Sequence, residues 1–275
     1  MESFENVWRL LSRWITPDDA QLWRRASYRF HALVASQWRQ GRVFLAGDAA
    51  HQQPPFLGQG MCQGLRDVSN LAWKLDAVLK GQADEALLET YGQERANHVR
   101  ALTSVIKKIG TYICEHDPIA AQRRDEEWHS RTLKSEPRQD LIPGLQGGFF
   151  YGSGSPAEGR LFPQPWVINL QGQSGLLDDI AGAGWRLVLD EAALGWTFQP
   201  RQEIRIIRFG SVPRAECFQE RDNVVQQWFI EHRCKAAIVR PDHYVYALAQ
   251  SPDQLTAQLA ELKQNLVSKD IGVAC

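Results

Sequence analysis

Two hydrophobic periods alternate along the first half of the chain. Between Ser3 and Trp14, the apolar residues Phe4, Val7, Leu11 and Trp14 share one helical face. Thr16-Pro17-Asp18-Asp19 then reads as a helix start: a capping hydroxyl, Pro at the first helical position, and acids in the first turn. Residues 26–35 switch to a period of two, with Tyr28, Phe30, Ala32 and Val34 on one side, as in a strand. Trp38 and Gly41 close a turn into the short apolar run from Val43 to Ala46, which predicts a strand covered on both faces. The helical period returns at Met61, Leu65, Val68, Ala72, Leu75 and Leu79, a stripe expected to face the core, and Gly81 ends it. A longer helical pattern passes through Leu88, Tyr91, Arg95, Val99, Leu102, Ile106 and Ile109.

Residues 118–134 form a charged helical stretch, expected to be a solvated face or a brace between domains. From 135 to 165 the chain is rich in Pro and Gly and reads as a linker, although Phe149, Phe150, Tyr151 and Phe162 argue that it packs on something. Beyond it, residues 185–189 and 203–208 are strand-like and 223–232 helical. Residues 236–239 and 244–248 flank a turn at Arg240-Pro241-Asp242-His243, and a last helix carries Leu255, Leu259, Leu262 and Leu266 on one side. The pattern predicts an α/β (α+β) protein in three parts: residues 1–134, a linker at 135–158, and a second unit over 159–275.

Composition narrows the function classes. The net charge of −1 carries no basic excess that would point to nucleic acid. No apolar run approaches about 20 residues, so no membrane span is expected. The charged, amphipathic N-terminal stretch lacks a signal-peptide core, and a cytoplasmic location is the expectation. The five cysteines (Cys62, Cys114, Cys217, Cys234 and Cys275) form no Cys-x-x-Cys and no metal spacing with His, so neither dithiol chemistry nor a metal is expected. His116 and His129 lie on charged helical stretches and are expected to face solvent.

The candidate chemistry sits in residues 42–61. A carboxylate at Gly47-Asp48 falls just past the expected strand, at the edge where open α/β sheets bind ligands, and can accept from ribityl or ribose hydroxyls. A Pro54-Pro55 loop follows. Gly58 and Gly60 then let backbone approach a flat ligand, and a helix starting near Met61 offers free N–H groups to an anion. Each piece alone is ordinary: Gly-Asp is common in turns, and Pro-Pro in rigid loops.

The ordered combination Gly47-Asp48-Ala49-Ala50-His51, Pro54-Pro55 and Gly58-Gln59-Gly60-Met61 resembles the second FAD motif of the flavin-dependent aromatic hydroxylases. The likeness continues through Asp67, Asn70, Leu71, Ala72, Trp73, Lys74 and Leu75, and through Tyr91, Glu94 and Arg95. Cys62 stands where Asn is commoner, a variant resembling the hydroxyphenylpropionate hydroxylase branch. The resemblance implies hydroxylation of a phenolic aromatic acid with FAD, O₂ and either NADH or NADPH. It places Gly47, Asp48, Gly58, Gln59, Gly60 and Met61 on the cofactor and Pro54 beside the flavin C4a, in a dry pocket. It suggests an acid at position 67 that braces the loop. His51 is a candidate catalytic group, with a structural role the weightier alternative. No other side chain stands out as acid or base for the phenol.

The resemblance also implies a dinucleotide fingerprint, a strand followed by G-x-G-x-x-G. Residues 152–157 fit it formally, but they contain Pro156 and precede no helical pattern. The chain therefore resembles the C-terminal half of such an enzyme, expected to hold FAD weakly or not at all by itself. Gly159-Arg160-Leu161-Phe162-Pro163-Gln164-Pro165 and Val239-Arg240-Pro241-Asp242 look like landmarks of the thioredoxin-like domain of this branch, here without Cys-x-x-Cys. Other readings stay open. One is a flavin-free, inactive folding or oligomerisation module; another is a thioredoxin-fold binding protein with a helical arm. A homo-oligomer is compatible with each.

Overall fold

In the computed structural model, residues 3–130, 141–199, 203–210 and 217–267 are described. The first part is helical with minimal strand: α1 (Phe4–Leu11), β1 (Leu33–Val34), β2 (Arg39–Gln40), β3 (Val43–Phe44), β4 (His51–Gln52), α2 (Gly60–Leu79), α3 (Glu89–Ile113) and α4 (Pro118–Ser130). β1 pairs antiparallel with β4, and β2 with β3. The second part contains β5 (Trp166–Asn169), β6 (Ser174–Leu176), α5 (Leu177–Ala181), β7 (Trp185–Leu189), β8 (Ile204–Phe209), β9 (Cys217–Glu220), α6 (Val224–Glu231), β10 (Ala236–Val239), β11 (Val245–Ala249) and α7 (Pro252–Val267).

The second part is organised by one sheet in the order β11-β10-β7-β8-β9-β5-β6. β7–β8 and β8–β9 are parallel and the other pairs antiparallel. β7, β10 and the edge strand β11 are buried at every residue, which explains their largely apolar runs. One sheet face packs against Leu255, Leu259, Leu262 and Leu266 of α7 and against Ala77, Ala83 and Leu87 from the first part. The other face packs against Leu177, Val225 and Phe229. A smaller core joins Trp38, Ala50, Tyr91, Ala96 and Val99.

The structure corrects several expectations in the first part. Thr16–Asp19 is a turn, not a helix start: Asp19 Oδ2 accepts from the Thr16 backbone N–H at 2.9 Å and from its hydroxyl at 2.8 Å, closing the loop backwards. Residues 26–32 form no strand, because no described segment lies alongside to take their backbone hydrogen bonds; Tyr28 and Phe30 are exposed. The run from Val43 is a two-residue hairpin arm rather than a doubly covered strand, with Val43 exposed.

The largest correction concerns α2. Met61 (77% exposed), Leu65 (60%) and Leu79 (81%) point to solvent, together with Val68. The buried face is instead Gln63, Asp67, Asn70, Lys74 and Ala77. These recur at spacings of four and three, so the helix is amphipathic as expected but inserted polar side inward. The sheet packs against the first part at Ala77, Ala83 and Leu87. His116 and His129 are exposed as expected. Cys275 and the stretch 131–140, with the end of the charged helix and the start of the expected linker, lie outside the described residues.

Candidate functional site

The loop between β3 and α2 is fixed from beneath by one carboxylate. Asp67, on the buried face of α2, accepts from the Gly47 backbone N–H at 2.9 Å and lies 2.8 Å from His51 Nε2. Its second oxygen accepts from Arg95 Nε at 2.8 Å. Burial opposes the charge on Asp67, but the His51 and Gly47 hydrogen bonds and the Arg95 guanidinium hold its carboxyl below the usual range. The acid at position 67 therefore does brace the loop.

The turn held in this way requires glycine. Gly47 has φ +61°, in the left-handed region, and a Cβ built at Gly64 on α2 would lie 3.5 Å from the Gly47 Cα. The turn thus sits directly on the first turns of α2. It leaves Asp48 exposed, and its carboxylate has no hydrogen-bond or ion-pair partner among the described residues. Pro54 is half-buried and precedes a single 3₁₀ turn, Pro55–Leu57, that ends at Gly58 with φ +60°. Gln53 ties this stretch to α3 by donating to Thr103 Oγ1 at 2.6 Å. Gln59, buried just before α2, accepts from Arg66 at 3.0 Å.

α2 begins without a side-chain cap and without an acid in its first turn. Its first N–H groups and positive dipole end are therefore left for something outside the helix. Gly60 and Met61 are exposed, and a Cβ at Gly60 would meet nothing within 4 Å. Asp48, Gly58, Gly60 and Met61 thus lie on open surface.

His51 sits elsewhere. It is 2% exposed, stacked on Trp38 at 5.7 Å between ring centroids, and its Nε2 is committed to Asp67. Arg95 continues the frame to His98 Nδ1 at 2.9 Å and to Gln63 Oε1 at 2.6 Å. Burial and the nearby Arg95 push His98 down to about 3, so its ring is neutral and its Nε2–H donates to the Pro143 carbonyl at 2.8 Å.

Two helical turns further along α2 lies a second buried cluster. Lys74 Nζ is 3.0 Å from Glu94 Oε2, and Arg240 from the β10–β11 turn reaches the same carboxylate at 2.8 Å and 3.1 Å. Arg240 also donates to Asp242 at 2.7 Å and 2.9 Å and to the Phe149 carbonyl at 3.0 Å. All four ionised side chains are fully withdrawn from solvent. Burial alone would raise the Glu94 pKa, but Arg240 and Lys74 outweigh it and hold the carboxyl at about 2; burial pushes Lys74 down to about 8 against the pull of Glu94.

Comparison with known proteins gives this geometry a context. Residues 6–105 match the family described as FAD binding domain, and residues 159–265 match HcaD C-terminal domain. A probable NADH-specific resorcinol 4-hydroxylase of Rhodococcus jostii is 38% identical over 96% of this chain and 50% of its own length. The chain thus carries a match to an FAD binding domain and is similar to aromatic hydroxylases. A 3-(3-hydroxy-phenyl)propionate/3-hydroxycinnamic acid hydroxylase of Klebsiella pneumoniae is 34% identical over 95% of the chain and 52% of its own length. The crystal structure of aklavinone-11 hydroxylase with FAD and aklavinone superposes with a TM-score of 0.61 at 25% identity, covering 87% of this chain and 46% of that one. The chain spans about half the length of the curated relatives it matches.

The hydroxylase motif residues fall into two sets. Asp48, Pro54, Gly58, Gly60 and Met61 lie on the loop surface beside the open end of α2, and their hydrogen-bonding groups fit a flavin: a carboxylate that can accept from ribityl hydroxyls and N–H groups that can donate to an electron-rich ring edge. Gly47 and Gln59 support that surface from within, and His51 belongs to the buried frame with Asp67. Residue type alone does not separate these sets. The signal that does is the polar stripe Gln63, Asp67, Asn70, Lys74 along α2, which repeats with helical period opposite the apolar one.

Proposed function

We propose that this chain supplies the flavin-holding loop and the C-terminal unit of an FAD-dependent monooxygenase that hydroxylates a phenolic aromatic compound, with NADH as reductant. The observation that carries this reading is the conjunction of an Asp48 carboxylate that has no partner among the described residues with the uncapped N-terminus of α2, both on a loop braced by Asp67. FAD, when bound, supplies the redox and oxygen chemistry. Asp48 would accept from the ribityl hydroxyls, and the backbone from Gly58 to Met61 would hold the ring. The first N–H groups of α2 would donate to an electron-rich edge of that ring. Pro54 walls the reacting edge against water. His51 serves the site as a brace for the loop, consistent with its burial and its bond to Asp67. The printed names of the relatives support resorcinol-like or hydroxyphenylpropionate-like rings as the substrate class.

The unit from about residue 159 onward reads as thioredoxin-like. The parallel pair β7–β8, the antiparallel hairpin β10–β11 beside it and the terminal α7 support this. Without Cys-x-x-Cys, and with Cys234 buried and pushed up to about 12, its work is packing rather than thiol chemistry. Residues 1–134 would then be the flavin-side region and 135–158 the connection, in a cytoplasmic enzyme.

FAD titration of the full-length enzyme, wild type against Asp48→Ala, tests the cofactor assignment. Charge-assisted bonds to hydroxyls are worth about 1.5–3 kcal/mol, so the variant should bind about ten- to a hundredfold more weakly. An unchanged Kd would overturn it.

A further inference from the structure

The two buried clusters are not separate. Asp67 and Asn70 lie on one face of α2, and Glu94 and Arg95 are adjacent on α3. The helices are therefore clamped twice, by Asp67 with Arg95 and by Asn70 and Lys74 with Glu94. The first clamp holds the Gly47 turn. The second is completed from the C-terminal unit. Asn70 Nδ2 donates to Glu94 Oε2 at 2.7 Å and to Asp242 Oδ2 at 3.0 Å, and Arg240 spans both carboxylates. Every donor of the Arg240 guanidinium is used, between two acids and one backbone carbonyl. A planar fork saturated in this way has one position, and it fixes the positions of its acceptors.

We propose that Arg240 and Asp242 are positioning residues for the Gly47–Asp48 turn: they set Glu94 and Asn70, and thereby the register of α2 against α3 on which the Asp67–Arg95 pair and the Gly47 hydrogen bond depend. The C-terminal unit, which contributes no residue to the loop surface, thus sets how the exposed Asp48 is presented. This claim concerns the turn itself; only its consequence for flavin rests on the reading above.

Hydrogen exchange of the Gly47 amide in the 275-residue chain tests it. Asp242→Asn keeps the shape of the cluster while removing one charge. It should speed Gly47 exchange by about 2- to 30-fold, the range of coupling between linked sites. Glu220→Ala is the control. It removes the carboxylate that accepts from the Val225 and Gln226 N–H groups at 2.8 Å each at the start of α6, and Glu220 has no bond to α2, α3 or the Arg240–Asp242 turn among the described contacts. At matched loss of melting temperature the control should leave Gly47 exchange unchanged. Equal acceleration in both variants, or none in Asp242→Asn, overturns the proposal. If Asp242→Asn does not fold, Arg240→Lys replaces it: it keeps the charge but loses the fork, and the same outcomes apply. FAD titration of the full-length enzyme reports separately: an unchanged Kd in Asp48→Ala refutes the cofactor reading and leaves the positioning claim standing.

Discussion

Helices α2 and α7 carry apolar stripes of the same spacing and do opposite things with them. α7 buries Leu255, Leu259, Leu262 and Leu266 against the sheet. α2 presents Met61, Leu65, Val68 and Leu79 to solvent and turns Asp67, Asn70 and Lys74 inward. In α7 the apolar face finds apolar cover, so burial and periodicity agree. In α2 the inward face is polar, and it is tolerated because each ionised group meets an opposite one at hydrogen-bond distance. Periodicity therefore says which side of a helix is apolar. It does not say which side a given chain covers.

The largest expected effect comes from breaking the polar interior. Glu94→Ala leaves Lys74 and Arg240 buried with a single acid between them, and should cost about 3–5 kcal/mol in urea unfolding. A loss under about 1 kcal/mol would mean that the buried charges find water, and that α2 is less buried on that side than it looks.

The next pair contrasts the two stripes directly. Leu262→Ala in α7, at a site 1% exposed, should cost about 2–5 kcal/mol. Leu65→Ala in α2 should stay within about 0.5 kcal/mol in the same assay. Similar losses at both sites would show that the α2 stripe is covered in solution.

The smallest effect is a drift with pH. His98 and Glu94 both have depressed pKa values, about 3 against 6.5 and about 2 against 4.5. As pH falls below 6.5 the unfolded chain takes up protons that the folded one refuses, so their contribution, full above the unfolded values, is lost toward pH 3. Lys74 acts at the other end: between about 8 and 10.5 the unfolded chain keeps a proton that the folded one has released, so stability rises with pH there. The urea midpoint should fall from pH 7 to pH 5 in wild type and much less in His98→Gln. A parallel fall in both would remove His98 from the account.

Much of the sheet unit was legible in the sequence because its signals are local. The buried runs at 185–189 and 236–239, the Pro241-Asp242 turn and the α7 leucines each declare themselves within a few residues. β5, β6 and β9 were not, being short strands between polar turns. The loop at 47–61 was legible by its order of Gly, Asp and Pro. Its support was not, since Asp67 meets Arg95 across 28 positions and Glu94 meets Arg240 across 146, distances over which no local pattern operates. The stripe of Asp67, Asn70 and Lys74 was the available clue. Polar residues at helical spacing are ordinarily read as the wet face, and here that expectation was reversed.

Phe149, in the stretch that joins the two parts, donates its N–H to Glu94 at 2.8 Å and accepts at its carbonyl from Arg240 at 3.0 Å. The joining strand is thus threaded through the very pair that binds the parts together. Mechanically it is no slack tether: a load applied across the junction bears on backbone, carboxylate and guanidinium at once. The connection cannot go slack while that pair is intact.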